Sequence, residues 1–589
     1  MTNPSLPQNE TDPEARQESL ARSQVEYQFD FSYHDIGFAK TVPKGENYSP
    51  GVMAKIVESK ALLWANRTAS HLFKHGDDPH QGAHGRSFRS RVLAALAVRK
   101  HSAIGLVERA IEHRQVHTSA QAEEDYDALF TLIKKPVEVA DWHSDETFAW
   151  RRLGGATPTT LRGVRAMPTS FPVTEAIFQS VIAGDTLARA LGEGRLFMLD
   201  FAAFDGIPGG MAMGVQKYTY APMALFVWQK GVAGAHGRLL PVAIQCYQRP
   251  GPDAPIFTPG DGIKWKMAKL TVEIATTNWH GNSEHLTRCH MIMEWATLAL
   301  KRQLAPQHPL RLLLEPNCQW TLANGAVTRE IVVNPGGEID LYNSPSLDDS
   351  LERVHKPAAA TFRLDESDAP TSFRLRDVDD LERLPDYPFR DDALLLWDAI
   401  HSMASGYVEL YYHNDGNVLA DTELAAFVRE LGASDGGRIR GVGVDGKVST
   451  VGQVIELVAQ LIYRATAYHN AINSSGFLYY SLPMAGTYAG FAPPPGPHVA
   501  TTASYLAMLP SMEVASALFD ALFTQISLHQ NRLGHYPPFH FRDGRVGPLL
   551  HEFQANLAAA EATIAVRNAS RRVPYTLLIP SRIPASIQV

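Results

Sequence analysis

The sequence predicts a mainly α fold with a small β-sheet set into it. Three observations lead there. Two long stretches, 263–304 and 450–473, carry apolar residues at helical spacing. Shorter helical patterns recur at 51–73, 88–112 and 122–134. Between them, a zone of short apolar runs broken by Gly and Pro reads as strands.

Taken in order, residues 1–25 are polar and rich in Pro, Asn and Glu, which predicts a flexible tail, with order beginning near Tyr27. "GVMAKIVESKALLWANRTASHLF" opens the helical part. "GRLFMLDF", "APMALFVWQ" and "GRLLPVAIQCY" are the expected strands. The stretch 343–380, with its Ser, Asp and Pro, is the expected mobile surface segment. No internal repeat or low-complexity linker divides the remainder, so 26–589 is expected to form one domain.

Bulk properties exclude several classes. The 589 residues are 45% hydrophobic and 20% charged, the composition of an ordinary globular protein. The net charge of −8 comes without any Lys/Arg-rich run that could follow a phosphate backbone, so nucleic acid is not an expected partner. Three cysteines, Cys246, Cys289 and Cys318, form no CxxC pair and no disulfide framework. The N-terminus shows no basic region leading into an apolar stretch, and no run is long enough to span a bilayer, so the cytoplasm is the default location.

Chemistry is signalled by "NWHGNSEHLTRCHMIMEW", which sets His280, His285 and His290 at five-residue intervals. Residues five apart on an α-helix point roughly 140° away from each other. A π-bulge, with hydrogen bonds from i to i+5, would bring His285 and His290 toward one face, and such bulges cluster at functional sites. Neutral imidazoles there suit iron, copper, nickel or zinc. "AYHNAIN" adds His469 and Asn473, whose i, i+4 spacing shares a face. A core histidine with a backbone-satisfied asparagine is the plain alternative for that pair.

On these residues the chain resembles the lipoxygenases. "RRLGGATPTTLRGV", "LDFAAFDGIPG", "WKMAKLTVEIA", "HPLRLLLEP", "YPFRDDALLLWDAI", "YVELYYHNDGNVLADTELAAFVREL" and "VPYTLLIPSRIPASIQV" look like lipoxygenase segments in the same order, from about residue 30 onward. The resemblance implies one non-haem iron per chain, with manganese as the alternative. It implies His285, His290, His469, Asn473 and the terminal carboxylate of Val589 as metal ligands and catalytic centre, with His280 supporting them from behind. Leu286, Thr328, Val332 and Ile339 fall at positions that line the substrate cavity in the family.

The sequence departs from the family at several points. Valine ends the chain where isoleucine is usual, and Gly281 and Gly476 stand where many members carry glutamine, so polar contacts around the ligands must be built differently. Thr328 takes the place of the alanine or glycine that steers oxygen, which removes the usual guide to regiochemistry and stereochemistry.

What the resemblance implies is a short bacterial type without the N-terminal PLAT-type β-sandwich. It would act as a monomer on polyunsaturated fatty acids and O2, with transient membrane-surface contact but no integral span. The product would be a conjugated hydroperoxide, formed after removal of a bis-allylic hydrogen. A non-catalytic lipid-binding relative would show a broken ligand set, and none of the ligand positions is lost. A zinc hydrolase with Glu294 as base would leave Asn473 without a role.

Overall fold

Two long helices run through the core, and both change pitch part-way. The computed structural model describes residues 4–74, 120–231, 237–526 and 531–588. The first long helix is α-helical over Ile263–Trp279, π-helical over His280–Met291 and α-helical again over Ile292–Gln303. Its sides are buried nearly all round, which is why its pattern reads as apolar without a clean polar face. The second is α-helical over Val451–Tyr463, π-helical over Arg464–Tyr468 and α-helical over His469–Asn473. Thr450 opens it with a capping box, its side chain accepting from Gln453 N while Gln453 Oε1 accepts from Thr450 N.

The pitch change in the first helix has local causes. The Thr287 hydroxyl donates to the Asn282 carbonyl five residues back at 2.7 Å, and Asn278 and Asn282 each turn a side-chain amide onto a carbonyl of the preceding turn. The two helices are then clamped together at their π segments. Tyr468 Oη donates to Glu284 Oε2, Arg464 Nη1 donates to the Arg288 carbonyl at 2.8 Å, and His280 Nε2 meets the Ile472 carbonyl at 2.9 Å.

The three expected strands are Leu196–Asp200, Met223–Gln229 and Arg238–Gln245, inner members of a five-stranded antiparallel sheet. Both faces are covered. Phe197, Leu199, Ala224, Phe226 and Trp228 enter the main core, while Leu196, Met223, Leu225 and Val227 enter a smaller cluster with Phe171 and Phe178. Burial on both sides explains why these runs are continuously apolar rather than alternating. Between Leu225↔Ala243 and Phe226↔Pro241 the register slips by one residue, and neighbours Val242 and Ala243 therefore share a face. Pro241, which has no N–H to give, sits at that bulge.

Some expectations are corrected. The expected flexible tail over 1–25 contains a helix, Pro13–Glu26, capped by Asp12 and docked by a buried Arg16. Arg16 donates to both oxygens of Glu423 and to Glu10, so charge-assisted bonds rather than apolar area hold this polar segment. The expected mobile segment 343–380 is helical and packed: a π segment at Ser350–His355 runs into Lys356–Thr361, with Leu351, Val354 and Leu364 buried. The expected helix at 122–134 shortens to a 3₁₀ turn, Glu123–Leu129, because Asn66 captures the following backbone, donating to the Leu129 carbonyl and accepting from Leu132 and Ile133 N–H. The expected helix at 88–112 lies outside the described residues. Those described before residue 42 form helix and a two-stranded ribbon, Phe29–Asp30 with Phe38–Ala39, and no sandwich. No described helix is long and apolar enough to cross a membrane.

Candidate metal centre

The π segment does what the five-residue spacing asks of it. His285 and His290 meet through their Nε2 atoms at 2.9 Å, and His469, arriving from the second helix, places its own Nε2 3.2 Å from that of His290. The ligand atoms of these three residues all lie within 4.8 Å of one another, the only such grouping of three or more His, Cys, Asp or Glu among the described residues. Asn473, one turn beyond His469, stands beside His285 with its Oδ1 buried and without a hydrogen-bond partner.

Electrostatics favour neutral rings. Burial holds His285 well below the usual imidazole range, with the neighbouring histidines adding to the effect, and burial brings His290 down to about 4. His290 Nδ1 lies 2.8 Å from Asn324 Oδ1, an acceptor, so Nδ1 carries the proton and Nε2 presents a lone pair to the cluster. Nitrogen lone pairs converging at these distances repel one another unless a proton or a cation lies between them. Together with the orphaned Asn473 oxygen, the donor set fits a first-row transition metal of intermediate softness.

Comparison with known proteins decides the family. The lipoxygenase family model matches residues 42–580. The chain belongs to the lipoxygenase family. The linoleate 9/13-lipoxygenase of Pseudomonas aeruginosa is 37% identical over 489 residues, which span 78% of this chain and 69% of that protein. The polyunsaturated fatty acid lipoxygenase ALOX15B of Rattus norvegicus is 32% identical across 76% of this chain and 66% of its own length, so the chain spans about two thirds of these relatives. An anaerobic crystal structure of a LOX variant (delta413-417:GS) in complex with arachidonate superposes with a TM-score of 0.86 at 25% identity, covering 100% of this chain and 84% of that one.

Within this lipoxygenase the remaining expected residues fall as follows. His280 sits behind the cluster, its ring stacked on His285 at 5.7 Å; Nε2 meets the Ile472 carbonyl and Nδ1 meets Tyr488 Oη at 3.1 Å. Leu286 and Ile339 are buried in the main core and Val332 packs against it. Thr328 is buried where the helix Thr321–Val327 passes into a π turn, its hydroxyl donating to Asn324 Oδ1 at 3.4 Å. A cavity of about 540 Å³ opens beside this turn, lined by Tyr33, Phe38, Val42, Ala326 and Arg329 among others. Val589 lies outside the described residues. The segment leading to it is interior: Ala585 accepts from Asn317, and Ser586, Ile587 and Gln588 are buried.

Glu294 is no ready base. Its Oε1 accepts from Ala39 N–H at 2.7 Å, and burial pushes its carboxyl up to about 8. Cys289, adjacent to His290, is a fully buried thiol and not one of the three clustered residues.

Sequence reasoning missed Tyr488 and Asn324. A Cβ at Gly281 would lie 2.7 Å from Tyr488 Cε1, so the tyrosine fills the room beside this glycine. No motif marks either residue; the missing side chain at Gly281 was the available hint that another group had to enter from elsewhere.

Proposed function

We propose that this protein is a non-haem iron dioxygenase. It inserts O2 into polyunsaturated fatty acids such as linoleic or arachidonic acid and yields conjugated hydroperoxides. The observation that carries the reading is the convergence of three Nε2 atoms beside the unpartnered Asn473 oxygen. The relatives named for linoleate and polyunsaturated fatty acids, and the neighbour holding arachidonate, support the substrate class.

In this reading His285, His290 and His469 hold the iron and Asn473 adds a weak amide oxygen. Iron bound there would supply the one-electron chemistry needed to take a bis-allylic hydrogen and add O2. The chain's own residues do the rest. His280, locked between Ile472 and Tyr488, fixes the plane of His285 from behind. Leu286, beside His285 in the core, presents apolar surface that suits an alkyl chain and keeps water away.

Three imidazoles and an amide also suit manganese, and electron paramagnetic resonance of the purified metal form separates the two. The deciding test pairs metal analysis with oxygen uptake on linoleate and arachidonate for the wild type and His290→Ala. Loss of both metal and uptake in the variant is expected. A variant with full activity overturns the assignment.

A further inference from the structure

We propose that Asn324 is the positioning residue of this centre: its side-chain carbonyl selects the tautomer of His290 whose Nε2 faces the metal, while Tyr48 and Thr328 hold the amide in that orientation. The inference rests on the metal-binding reading of the histidine cluster.

A neutral imidazole carries one proton, and the partner of one nitrogen decides the state of the other. Asn324 Oδ1 can only accept, so at 2.8 Å it keeps the proton on His290 Nδ1. A turned amide would offer Nδ2–H to the same nitrogen. The ring proton would then move to Nε2 and point at His285 and His469, whose Nε2 atoms it approaches at 2.9 and 3.2 Å. His290 could no longer donate a lone pair to the cluster.

Two further contacts oppose that turn. Thr328, four residues on and therefore on the same helical face, gives its hydroxyl to Oδ1 at 3.4 Å. The half-buried Tyr48 hydroxyl is hydrogen-bonded to the Asn324 side chain. Thr328, expected to line the substrate cavity at the position that steers oxygen, here reaches toward the histidine cluster through Asn324.

The backbone explains how the amide gets so close. At the neighbouring Gly325 a Cβ would lie 2.2 Å from Glu294 Oε2, so only glycine lets the helix Thr321–Val327 press onto the helix that bears His290. Gly325 meets Glu294 and Asn324 meets His290, four residues apart on that helix. The contact is one crossing read at two points.

The test uses the full-length, iron-loaded protein as wild type, Asn324→Leu, Asn324→Asp, Thr328→Val and His290→Ala. Each is dialysed against a graded chelator and examined by metal analysis, electron paramagnetic resonance and circular dichroism. Asn324→Leu removes the acceptor at similar volume, and metal affinity is expected to fall about 10–100-fold with the circular dichroism unchanged. Asn324→Asp keeps an acceptor, now charged, and is expected to retain iron with a shifted resonance line shape. Thr328→Val should fall between Asn324→Leu and wild type. Wild-type affinity and line shape in Asn324→Leu overturn the proposal. Should Asn324→Leu fail to fold, an unchanged line shape in Asn324→Asp overturns it instead, and a changed one supports it. A wild type that holds no iron, or a His290→Ala variant that keeps it fully, defeats the metal-centre reading itself and this proposal with it.

Discussion

Adding one methyl group at Gly281 should expose how the space beside His280 is filled. The new Cβ would sit 2.7 Å from Tyr488 Cε1 and 3.3 Å from Cδ1, closer than carbon atoms settle. The tyrosine has little room to yield: its Oη is tied to His280 Nδ1 at 3.1 Å and its ring stands edge-on to Tyr480 at 6.0 Å. Overpacking of this kind destabilises by about 1–3 kcal/mol. A cycle separates sterics from hydrogen bonding. Tyr488→Phe loses only the hydroxyl, about 1 kcal/mol, and leaves the Gly281→Ala penalty intact. Tyr488→Ala removes the ring, so adding Gly281→Ala on top should carry almost no penalty, giving a coupling of roughly 1–3 kcal/mol between the sites. Urea midpoints of the six proteins, wild type, Gly281→Ala and each Tyr488 variant with and without Gly281→Ala, all loaded with the same metal, provide the measurement. Equal penalties with and without the ring would refute the idea that Tyr488 occupies this space.

Three more outcomes are expected. Glu294 keeps its proton up to about pH 8 in the folded chain against an ordinary value of 4.5. Its contribution to stability is therefore complete below about pH 4.5 and is lost as pH rises toward 8, at no more than about 1.4 kcal/mol per pH unit. Glu294→Gln should flatten that decline in urea midpoints taken across this window, and an unchanged slope would refute the assignment. Asp392 is fully buried and accepts from Arg571 at 2.5 and 2.9 Å and from Arg567 at 3.0 Å. Arg571→Ala should destabilise by about 3–5 kcal/mol, with Asp392→Asn recovering part of the loss in the double variant. Arg16→Ala should release the helix Pro13–Glu26, read as new protease cleavage within it while the remainder resists; an unaltered digestion pattern would show that Arg16 does not dock it.

What the sequence made legible was whatever depends on periodicity and spacing. Short runs of Leu, Phe, Val and Ile between glycines became the central strands, and the long apolar stretches became the central helices. A five-residue histidine interval is wrong for an α-helix, and that mismatch pointed to the π segment at His280–Met291. Illegible were features set by single polar contacts. Asn66 ends a helix by capturing three backbone groups, and Arg16 orders a segment whose composition reads as disorder. The helical packing of 343–380 was hidden by its Ser and Asp content, although Leu347, Leu351, Val354 and Ala358 recur at helical spacing and all are buried. The π turn at Arg464–Tyr468 left no trace because His469 and Asn473 follow it at an ordinary α-helical interval.

The two glycines nearest His280, Gly281 and Gly476, follow one physical rule. A side chain missing from a close-packed interior leaves a void that destabilises it unless another group moves in. At Gly281 that group is Tyr488, which also gives His280 a polar partner through its hydroxyl. At Gly476 the would-be Cβ looks onto Leu522 Cδ2 at 3.2 Å, Gln525 Oε1 at 3.6 Å and His280 Cε1 at 3.9 Å. Gln525 also takes part in holding Asn473, whose Nδ2 donates to its carbonyl at 3.4 Å. Polar groups from chain positions far from the histidine ladder thus stand beside both glycines. The room at both positions is filled from outside the motif that carries the converging imidazoles.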